Sequence, residues 1–340
     1  MSQGVAAIGK LMNTRILSTS SLVGPSLAEL GEKFPALSVL PFRSDEWNAE
    51  LKHAEALVVL LSEPLYEDDL KRCPRLKAIG TYSVGTNHLP LDACSAKGIS
   101  IVNTPGVLTD ATADLALALL LAVTRRVAEG EALLRSETWP GWQPDQLLGI
   151  GLSGKSCGIL GSGPIGRAFA RRVRSLGMNP VFWDRDGSGR PVDFLQAGVA
   201  STINAPAAPR LPLKELLRQS AVLSLHCPLT DQTKGLLGKD ELLLLPKGAV
   251  VINTARGGIL DEAALRELLT GNHLGGVGLD VYEGEPKFHP GWLDAPRTVL
   301  LPHLGSATFE SRCAMASLLC QGLEEALERF SFEKQPIASK

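Results

Sequence analysis

The sequence has no excess of either charge and no unusual composition that would direct it to a nucleic acid. Its 34 Lys and Arg residues are balanced by 36 Asp and Glu residues, which gives a net charge of -2. A chain without surplus cations is poorly suited to neutralise a polyphosphate backbone. We therefore expect no nucleic-acid partner.

Cysteine pairs and long apolar runs are also missing. The six cysteines form no C-x-x-C pair, so neither a zinc site nor a disulfide framework is predicted, and no metal is expected. Reduced thiols are typical of the cytoplasm, where we expect the protein. The longest apolar run, Leu115–Val123, is far shorter than the roughly 20 residues that cross a bilayer. The first residues, Met1–Asn13, do not resemble a signal peptide. No membrane partner is expected.

What the sequence does contain is an alternation of short apolar segments with helical patterns. One series of predicted strands comprises Arg15–Ser18, Ala56–Leu61, Leu76–Gly80 and Ile99–Asn103, and a second series runs from Cys157 to Leu301. Continuous apolar strands joined by helices are typical of parallel sheets that are covered on both faces. A length of 340 residues agrees with two domains.

An Ala- and Leu-rich helix predicted over Thr109–Arg126 separates the two series. We place the domain change there, with a substrate domain over residues 14–110 and a dinucleotide-binding domain over residues 111–303. A helical pattern over Ser306–Phe330 can return to the first domain, which residues 304–332 would complete. The expected fold is α/β, with two Rossmann-like domains, parallel sheets and an active site in the cleft between the domains.

A glycine motif, Gly161–Gly166, follows a predicted strand and precedes a helical pattern. In a dinucleotide site the first glycine makes a tight turn, the second admits a pyrophosphate and the third lets helix pack on strand. The helix N-terminus then offers free N–H groups to the anion. The motif alone is a weak signal, but its position between strand and helix predicts a cofactor site. The expected contacts are Gly161, Gly163, Pro164, Ile165 and Gly166.

Asp184 ends the next predicted strand, 21 residues beyond Gly163. An acid at this place accepts hydrogen bonds from the adenosine ribose, and its charge repels a 2′-phosphate. We therefore expect NAD as the cofactor, with NADH preferred over NADPH. The neighbouring Arg185 softens the preference, so NADPH can also be used. A solvated Asp at a strand end would have no such meaning.

Three further polar residues follow predicted strands of the second series: Arg256, Glu285 and His303. Ligands of open parallel sheets bind beyond the carboxyl ends of the strands, so these residues can converge. A guanidinium can hold a 2-oxo acid through paired hydrogen bonds, and a histidine can exchange the proton that accompanies hydride transfer. A glutamate beside the histidine favours its protonated form. Taken singly, each can equally be a solvated or structural residue.

The order of these motifs resembles the D-isomer-specific 2-hydroxyacid dehydrogenase family along almost the whole chain. The matching segments are Tyr82–His88, Asn103–Asp110, Gly161–Gly166, Asn253–Gly257, Leu279–Pro286 and Pro302–Thr308. The resemblance implies that Arg256 binds substrate, that Glu285 orients and charges His303, and that His303 is the acid/base. It also implies that the backbone amides of Val84 and Gly85 bind the substrate carboxylate and that Asp280 lies near the nicotinamide. Further cofactor contacts are implied for Cys227, Pro228, Thr233, Thr254 and Ala255.

Within the family the chain is most similar to glyoxylate and hydroxypyruvate reductases, in Leu60–Ser62, Thr104–Asp110 and Trp139–Trp142. This implies NAD(H)-dependent reduction of a short 2-oxo acid, glyoxylate or hydroxypyruvate, to the D-2-hydroxy acid. Members of this branch often have a basic, NADP-favouring strand end. Here that segment is Trp183–Asp186, and its local chemistry favours NADH.

Other functions of the same fold are alternatives. A phosphorylated substrate needs cations in the first domain, where the loop Leu61–Pro64 offers Glu63 instead. A formate dehydrogenase would have no glutamate at Glu285. A 2-ketogluconate-type sugar-acid reductase stays open, because the sequence does not give the size of the pocket. A non-catalytic NAD(H)-sensing protein similar to transcriptional corepressors also stays open, because a fold does not fix a function.

A homodimer is expected from two apolar features. The helix Ala111–Val123 is apolar, and the loop Thr138–Gln143 has two tryptophans within six residues. Aromatic residues commonly anchor interfaces. By family resemblance this loop reaches the partner subunit, with Trp142 near the partner's substrate.

Overall fold

The computed structural model describes residues 13–185, 187, 189–194 and 207–332. Asp186 of the predicted strand end lies outside the described residues. The chain divides into two compact units, of which the second is Thr109–Ser306 and the first comprises the residues up to Leu108 and from Ala307 onward. In the described part of the chain, no helix is both long and apolar enough to cross a membrane.

The first unit contains a sheet of five parallel strands in the order β2-β1-β3-β4-β5. The strands are β1 (Ile16–Ser18), β2 (Leu37–Val39), β3 (Ala56–Val59), β4 (Ala78–Thr81) and β5 (Ser100–Val102). The three central strands are buried along their whole length, whereas the two edge strands are partly exposed. This burial explains why aliphatic residues fill the central strands.

Helices cover this sheet, and one of them comes from the end of the chain. They are α1 (Ser26–Lys33), α2 (Asp45–Glu50), α3 (Glu67–Arg72), α4 (Leu91–Ala96) and, numbered by its place in chain order, α11 (Phe309–Phe332). A 3₁₀ turn, Leu51–His53, follows α2. Leu319 and Leu323 of α11 are fully buried, so this terminal helix contributes to the core of the first unit.

The second unit contains six parallel strands in the order β11-β10-β9-β8-β6-β7. They are β6 (Ser156–Leu160), β7 (Asn179–Trp183), β8 (Val222–Leu225), β9 (Ala249–Asn253), β10 (Leu274–Leu279) and β11 (Thr298–Leu300). An isolated parallel bridge between Phe182 and Arg210 adds one paired residue outside β7. With this residue the strand order becomes that of a dinucleotide-binding sheet, whose order reverses between β6 and β8. Ligands of such sheets bind at that reversal.

The helices of the second unit lie on both faces of its sheet, and two buried apolar clusters fill the space between the layers. The helices are α5 (Thr109–Thr124), α6 (Val127–Arg135), α7 (Pro164–Ser175), α8 (Leu213–Gln219), α9 (Lys239–Leu243) and α10 (Glu262–Thr270). A 3₁₀ turn, Pro290–Trp292, precedes β11. Helix α5 ends before the predicted Arg126, because that residue takes a left-handed conformation with a φ of 54° and redirects the chain into α6.

The predicted α/β fold with parallel sheets is confirmed. Strand β2 is not among the predicted strands. It is three residues long and lies at a sheet edge, where no continuous apolar run is needed.

Candidate active site

The glycine motif lies between β6 and α7 and forms a cradle at the reversal of strand order. Gly161 has a φ of 105°, and a Cβ there would lie 2.8 Å from the carbonyl group of His226. A Cβ on Gly166 would lie 2.0 Å from the carbonyl oxygen of Gly161. At Gly163, by contrast, a Cβ would meet nothing within 4 Å. The outer glycines are therefore packing positions, while the middle one faces open space at the start of a 12-residue helix. This cradle fits the pyrophosphate of a dinucleotide.

A cavity of about 420 Å³ lies on this cradle. Seven of the predicted cofactor residues line it: Gly161, Gly163, Asp184, Arg185, Cys227, Pro228 and Thr233. Ser162, Trp183 and His226, which were not predicted, line it as well. Pro164, Ile165 and Gly166 form the first turn of α7, while Thr254 and Ala255 follow β9. The structure thus brings the glycine motif, the end of β7 and the segment after β8 together.

Asp184 is held on two sides at the end of β7. One carboxylate oxygen accepts a hydrogen bond from the backbone N–H of Ser162, at 2.6 Å. The other lies 2.8 Å from a guanidinium nitrogen of Arg210, and the same nitrogen donates to the Ser162 hydroxyl, at 3.1 Å. Arg210 was missed because it belongs to no motif. Only its bridge to β7 brings it to this position.

Two titratable side chains in the cavity wall are neutral. Burial raises the pKa of the Cys227 thiol to about 11. Burial lowers the pKa of His226 to about 3, and its Nε2 is hydrogen-bonded to the Ser224 hydroxyl at 2.8 Å. Cys227 and His226 therefore shape the cavity without adding charge to it, and the thiol is not a nucleophile at neutral pH.

Glu285 and His303 form a direct pair in the second unit. One carboxylate oxygen of Glu285 lies 2.7 Å from Nδ1 of His303, and the other accepts the backbone N–H of Tyr282 at 2.8 Å. Burial alone would raise the pKa of Glu285, but the hydrogen bond and charge of His303, the Tyr282 N–H and the charge of Arg256 together lower it. Glu285 is therefore ionised at neutral pH. Its contact with Nδ1 leaves Nε2 as the nitrogen for proton exchange.

The backbone of His303 is held in an unusual conformation by Asp280. His303 has a φ of 56°, in the left-handed region, which costs about 1–2 kcal/mol for a residue with a Cβ. The buried carboxylate of Asp280 accepts the backbone N–H groups of Leu304, at 2.6 Å, and Gly305, at 2.8 Å. The N–H of His303 donates to the Asp280 carbonyl at 2.9 Å. Asp280 thus fixes the turn that carries the histidine, and its contact with the nicotinamide stays a prediction.

A second buried carboxylate, Glu262, fixes the turn that carries Glu285. It is the first residue of α10, and one oxygen accepts the backbone N–H of Glu283 at 2.6 Å. The other accepts the indole N–H of the fully buried Trp292 at 2.9 Å. Neither Glu262 nor Trp292 was predicted as a site residue, because an ordinary helix start and an isolated tryptophan carry no signal of this contact.

Arg256 lies on a turn after β9 that packs against Tyr282. The Asn253 side chain shapes this turn by donating to the Arg256 carbonyl at 2.9 Å and accepting the Ala255 N–H at 3.0 Å. A Cβ on Gly257 would lie 2.1 Å from the carbonyl group of Tyr282, so the two turns are in direct contact. Burial lowers the pKa of Arg256, and the charge of Glu285 opposes this shift. The structure therefore brings the three predicted catalytic residues onto neighbouring turns.

In the first unit, the predicted substrate loop is fixed through its carbonyl groups. The Asn103 amide donates to the carbonyl of Val84 at 2.9 Å, and the Ser83 hydroxyl donates to the carbonyl of Gly85 at 2.6 Å. Trp142, the remaining predicted substrate residue, follows α6 and is 78% exposed. The roles of Val84, Gly85 and Trp142 stay predictions.

Known proteins of one family match most of this chain. Residues 117–305 match the family model of the D-isomer specific 2-hydroxyacid dehydrogenase NAD binding domain. The glyoxylate reductase of Thermococcus litoralis is 40% identical over 81% of this chain and 81% of its own length. The glycerate dehydrogenase of Hyphomicrobium methylovorum is 38% identical over 80% of this chain and 82% of its own length.

A solved structure, the TT0316 protein from Thermus thermophilus, superposes with a TM-score of 0.82 and 38% identity, covering 93% of this chain and 97% of that one. The family predicted from the motifs is confirmed, and so is the class of enzyme. The family match over residues 117–305 includes the glycine cradle and the turns that carry Arg256, Glu285 and His303. The chain therefore belongs to the D-isomer-specific 2-hydroxyacid dehydrogenases, oxidoreductases that bind NAD(H) and interconvert 2-oxo acids and 2-hydroxy acids.

Proposed function

We propose that this enzyme reduces glyoxylate or hydroxypyruvate to the corresponding 2-hydroxy acid, which has the D configuration when hydroxypyruvate is the substrate, with NADH as the preferred cofactor. The observation that carries the proposal is the 2.7 Å contact between Glu285 and His303, on a turn next to that of Arg256. Such a group combines a proton donor with a cation that can bind a carboxylate. Two relatives agree with the choice of substrate, since one is named for glyoxylate and the other for glycerate, the reduced form of hydroxypyruvate.

Arg256 is proposed to bind the substrate through its carboxylate and its carbonyl oxygen. This contact polarises the carbonyl group and fixes its orientation, because a guanidinium presents two parallel N–H donors. The backbone N–H groups of Val84 and Gly85 are proposed to bind the same carboxylate. The carbonyls of Val84 and Gly85 are already engaged by Asn103 and Ser83, which fixes the orientation of the loop.

His303 is proposed to supply the proton. NADH, when bound, would supply the hydride for the carbonyl carbon, and Nε2 of His303 would donate the proton to the carbonyl oxygen. The carboxylate of Glu285 lies 2.7 Å from Nδ1, where it can stabilise a positive charge on the ring. In the oxidative direction the neutral ring accepts the proton from the hydroxyl group. One residue thus serves both directions.

The preference for NADH is proposed to come from Asp184. Its carboxylate lies in the cavity beside Ser162 and Arg185, at the place where a dinucleotide-binding sheet meets the adenosine ribose. We assign residues 111–303 to the dinucleotide-binding domain, and residues 14–110 with 304–332 to the substrate domain. The family match over residues 117–305 supports the first assignment.

A homodimer is proposed from exposed apolar side chains on α6 and the segment after it. These are Val127, Leu134, Trp139, Trp142 and Leu148, each at least 51% exposed. Large apolar side chains so close in sequence are typical of interfaces. Sedimentation of the protein at micromolar concentration is expected to give a dimer, and a monomer would contradict the proposal. The cytoplasmic location and the absence of nucleic-acid and membrane partners stay predictions from composition.

The substrate is tested by NADH-linked turnover of four 2-oxo acids: glyoxylate, hydroxypyruvate, 2-ketogluconate and pyruvate. We expect the highest kcat/KM with glyoxylate or hydroxypyruvate, and a D-configured product from hydroxypyruvate. The highest kcat/KM with 2-ketogluconate would contradict the proposal and indicate a sugar-acid reductase.

A further inference from the structure

Asp184, in the wall of the cavity on the glycine cradle, forms an ion pair with Arg210 that no motif indicates. The carboxylate of Asp184 and the guanidinium of Arg210 are 2.8 Å apart, with side chains only 18% and 11% exposed. Ser162, the second residue of the glycine motif, joins them through its backbone N–H and its hydroxyl. The three residues form a closed triangle, so Arg210 is fixed directly beside the residue that is proposed to face the ribose.

This ion pair changes the electrostatics of the nucleotide site. An isolated carboxylate repels a 2′-phosphate, and the repulsion is strong where little water screens it. A cation 2.8 Å away from that carboxylate cancels much of its field, because the pair as a whole has no net charge. The carboxylate keeps its geometry for accepting hydrogen bonds from ribose hydroxyls. Its ability to reject a phosphate is reduced.

We propose that Arg210 is a specificity-determining residue that limits discrimination against NADPH. With Asp184 present, Arg210 neutralises the carboxylate and makes a 2′-phosphate tolerable. With Asp184 removed, Arg210 is the cation that binds the 2′-phosphate. The proposal rests on the assignment of the adenosine ribose to Asp184. It adds that Arg210 weakens the discrimination of Asp184 against a 2′-phosphate.

Arg185 is a less suitable source of the same effect. It is exposed and lies next to Asp184 in sequence, whereas Arg210 is largely buried and directly paired with the carboxylate. A charge in a partly desolvated position acts more strongly than one in water. The effect of Arg210 should therefore exceed that of Arg185.

The test measures binding rather than turnover. Isothermal titration with ADP-ribose and with 2′-phospho-ADP-ribose gives two Kd values. The Kd of 2′-phospho-ADP-ribose divided by the Kd of ADP-ribose reports selectivity for the unphosphorylated ribose, and a higher ratio means stronger selectivity. We expect Arg210→Gln to raise this ratio on the order of tenfold, because Asp184 is then uncompensated. Asp184→Ser should lower the ratio on the order of tenfold, and the double variant should lose most of that gain in phosphate binding.

Two further variants separate charge from folding. Arg210→Lys keeps the cation and should stay near the wild-type ratio. Arg218→Gln removes an exposed charge near the C-terminal end of α8. Strand β8 begins just after this helix, so Arg218 lies at the amino ends of the strands, away from the cavity at their carboxyl ends. It should leave the ratio unchanged. Circular dichroism of each variant identifies any that is unfolded. If Arg210→Gln is unfolded, the affinities of Asp184→Ser, Asp184→Ser/Arg210→Lys and Asp184→Ser/Arg210→Gln for 2′-phospho-ADP-ribose are compared instead.

The role of Arg210 would be overturned by an unchanged ratio in folded Arg210→Gln. It would also be overturned if Asp184→Ser and its Arg210→Gln double variant bound 2′-phospho-ADP-ribose equally well. Neither result would affect the assignment of the nucleotide site. Failure of the wild-type protein to bind either ligand would overturn the nucleotide assignment, and the role of Arg210 with it. The two failures are therefore distinguishable.

Discussion

The glycine cradle and the His303 turn both follow strands of the second unit, but they are held in different ways. The cradle is held by close backbone packing, since added Cβ atoms at Gly161 and Gly166 would collide with main-chain atoms. The His303 turn is held by a buried carboxylate, Asp280, and the neighbouring Glu285 turn by another, Glu262. The first region is fixed by shape and the second by charge. Steric changes at the two outer glycines should therefore disturb nucleotide binding, while charge changes at Asp280, Glu262 and Glu285 should disturb proton transfer.

The largest expected effect comes from His303→Ala, which removes the proton donor and leaves the cradle intact. We expect kcat for 2-oxo acid reduction to fall by about 10²–10⁴-fold, the usual contribution of general acid catalysis. Binding of ADP-ribose, measured by titration calorimetry, should stay within about twofold of wild type, because the cradle is independent of the turn. Full activity in His303→Ala would exclude His303 as the acid.

Arg256→Lys keeps the charge but removes the planar pair of donors. We expect kcat/KM for glyoxylate to fall by roughly 10²-fold, since an ammonium cannot hold a carboxylate and a carbonyl oxygen together. Arg218→Lys is the control at an exposed position and should leave kcat/KM unchanged. Near-normal kinetics in Arg256→Lys would remove Arg256 from the substrate site.

Two alanine substitutions test whether the cradle is fixed by shape. Gly166→Ala places a Cβ 2.0 Å from a backbone oxygen, so we expect a lower Tm together with weak ADP-ribose binding. Gly163→Ala meets nothing within 4 Å and has an ordinary φ of -66°, so its Tm should be unchanged. Its ADP-ribose affinity should nevertheless fall on the order of tenfold, because the Cβ occupies the place of the pyrophosphate. Equal Tm values for the two variants would contradict this description of the cradle.

A smaller effect is expected at Glu262, a positioning residue for the Glu285 turn. Glu262 accepts two N–H groups, from the Glu283 backbone and from the Trp292 indole. In Glu262→Gln one of these N–H groups faces the amide N–H₂ instead of an oxygen, which lowers the free energy of unfolding by about 1–3 kcal/mol. We expect kcat to fall severalfold and the alkaline decline of reduction to move to lower pH, because Glu285 is less well placed on His303. Glu267→Gln, on the exposed side of the same helix, should change neither. A lower Tm with an unmoved pH profile would mean that Glu262 is only structural.

How far the sequence could predict this site depends on whether a residue acts within a motif or across the fold. Asp184 and His303 follow predicted strands at recognisable distances, so the rules for parallel sheets place them at one edge. Arg210 and Glu262 act through contacts with residues more than 20 positions away, at Asp184 and at Glu283 and Trp292. Nothing local distinguishes them from surface charges. Only the packed fold reveals that each is a buried partner.

Strand β2 and the left-handed backbone of His303 have the same explanation. The strand is too short and too exposed for an apolar pattern, and the sheet alone defines it. The φ of 56° at His303 arises because Asp280 draws in the following two N–H groups, which a sequence pattern does not encode. Motifs thus predict which residues take part, and tertiary contacts decide how these residues are held.

Proton exchange at His303 is proposed to depend on the charge of Glu285, whose carboxylate lies 2.7 Å from Nδ1. Glu285→Gln removes that charge and keeps the shape of the side chain, so a positive charge on the ring loses its stabilising partner. We predict that the alkaline decline of kcat/KM for glyoxylate reduction moves to lower pH, and that the alkaline rise of hydroxy-acid oxidation moves in parallel. The direct measurement is kcat/KM against pH in both directions, for wild type and Glu285→Gln. Parallel shifts of both limbs are the predicted result, and limbs that stay in place would show that another group controls the proton.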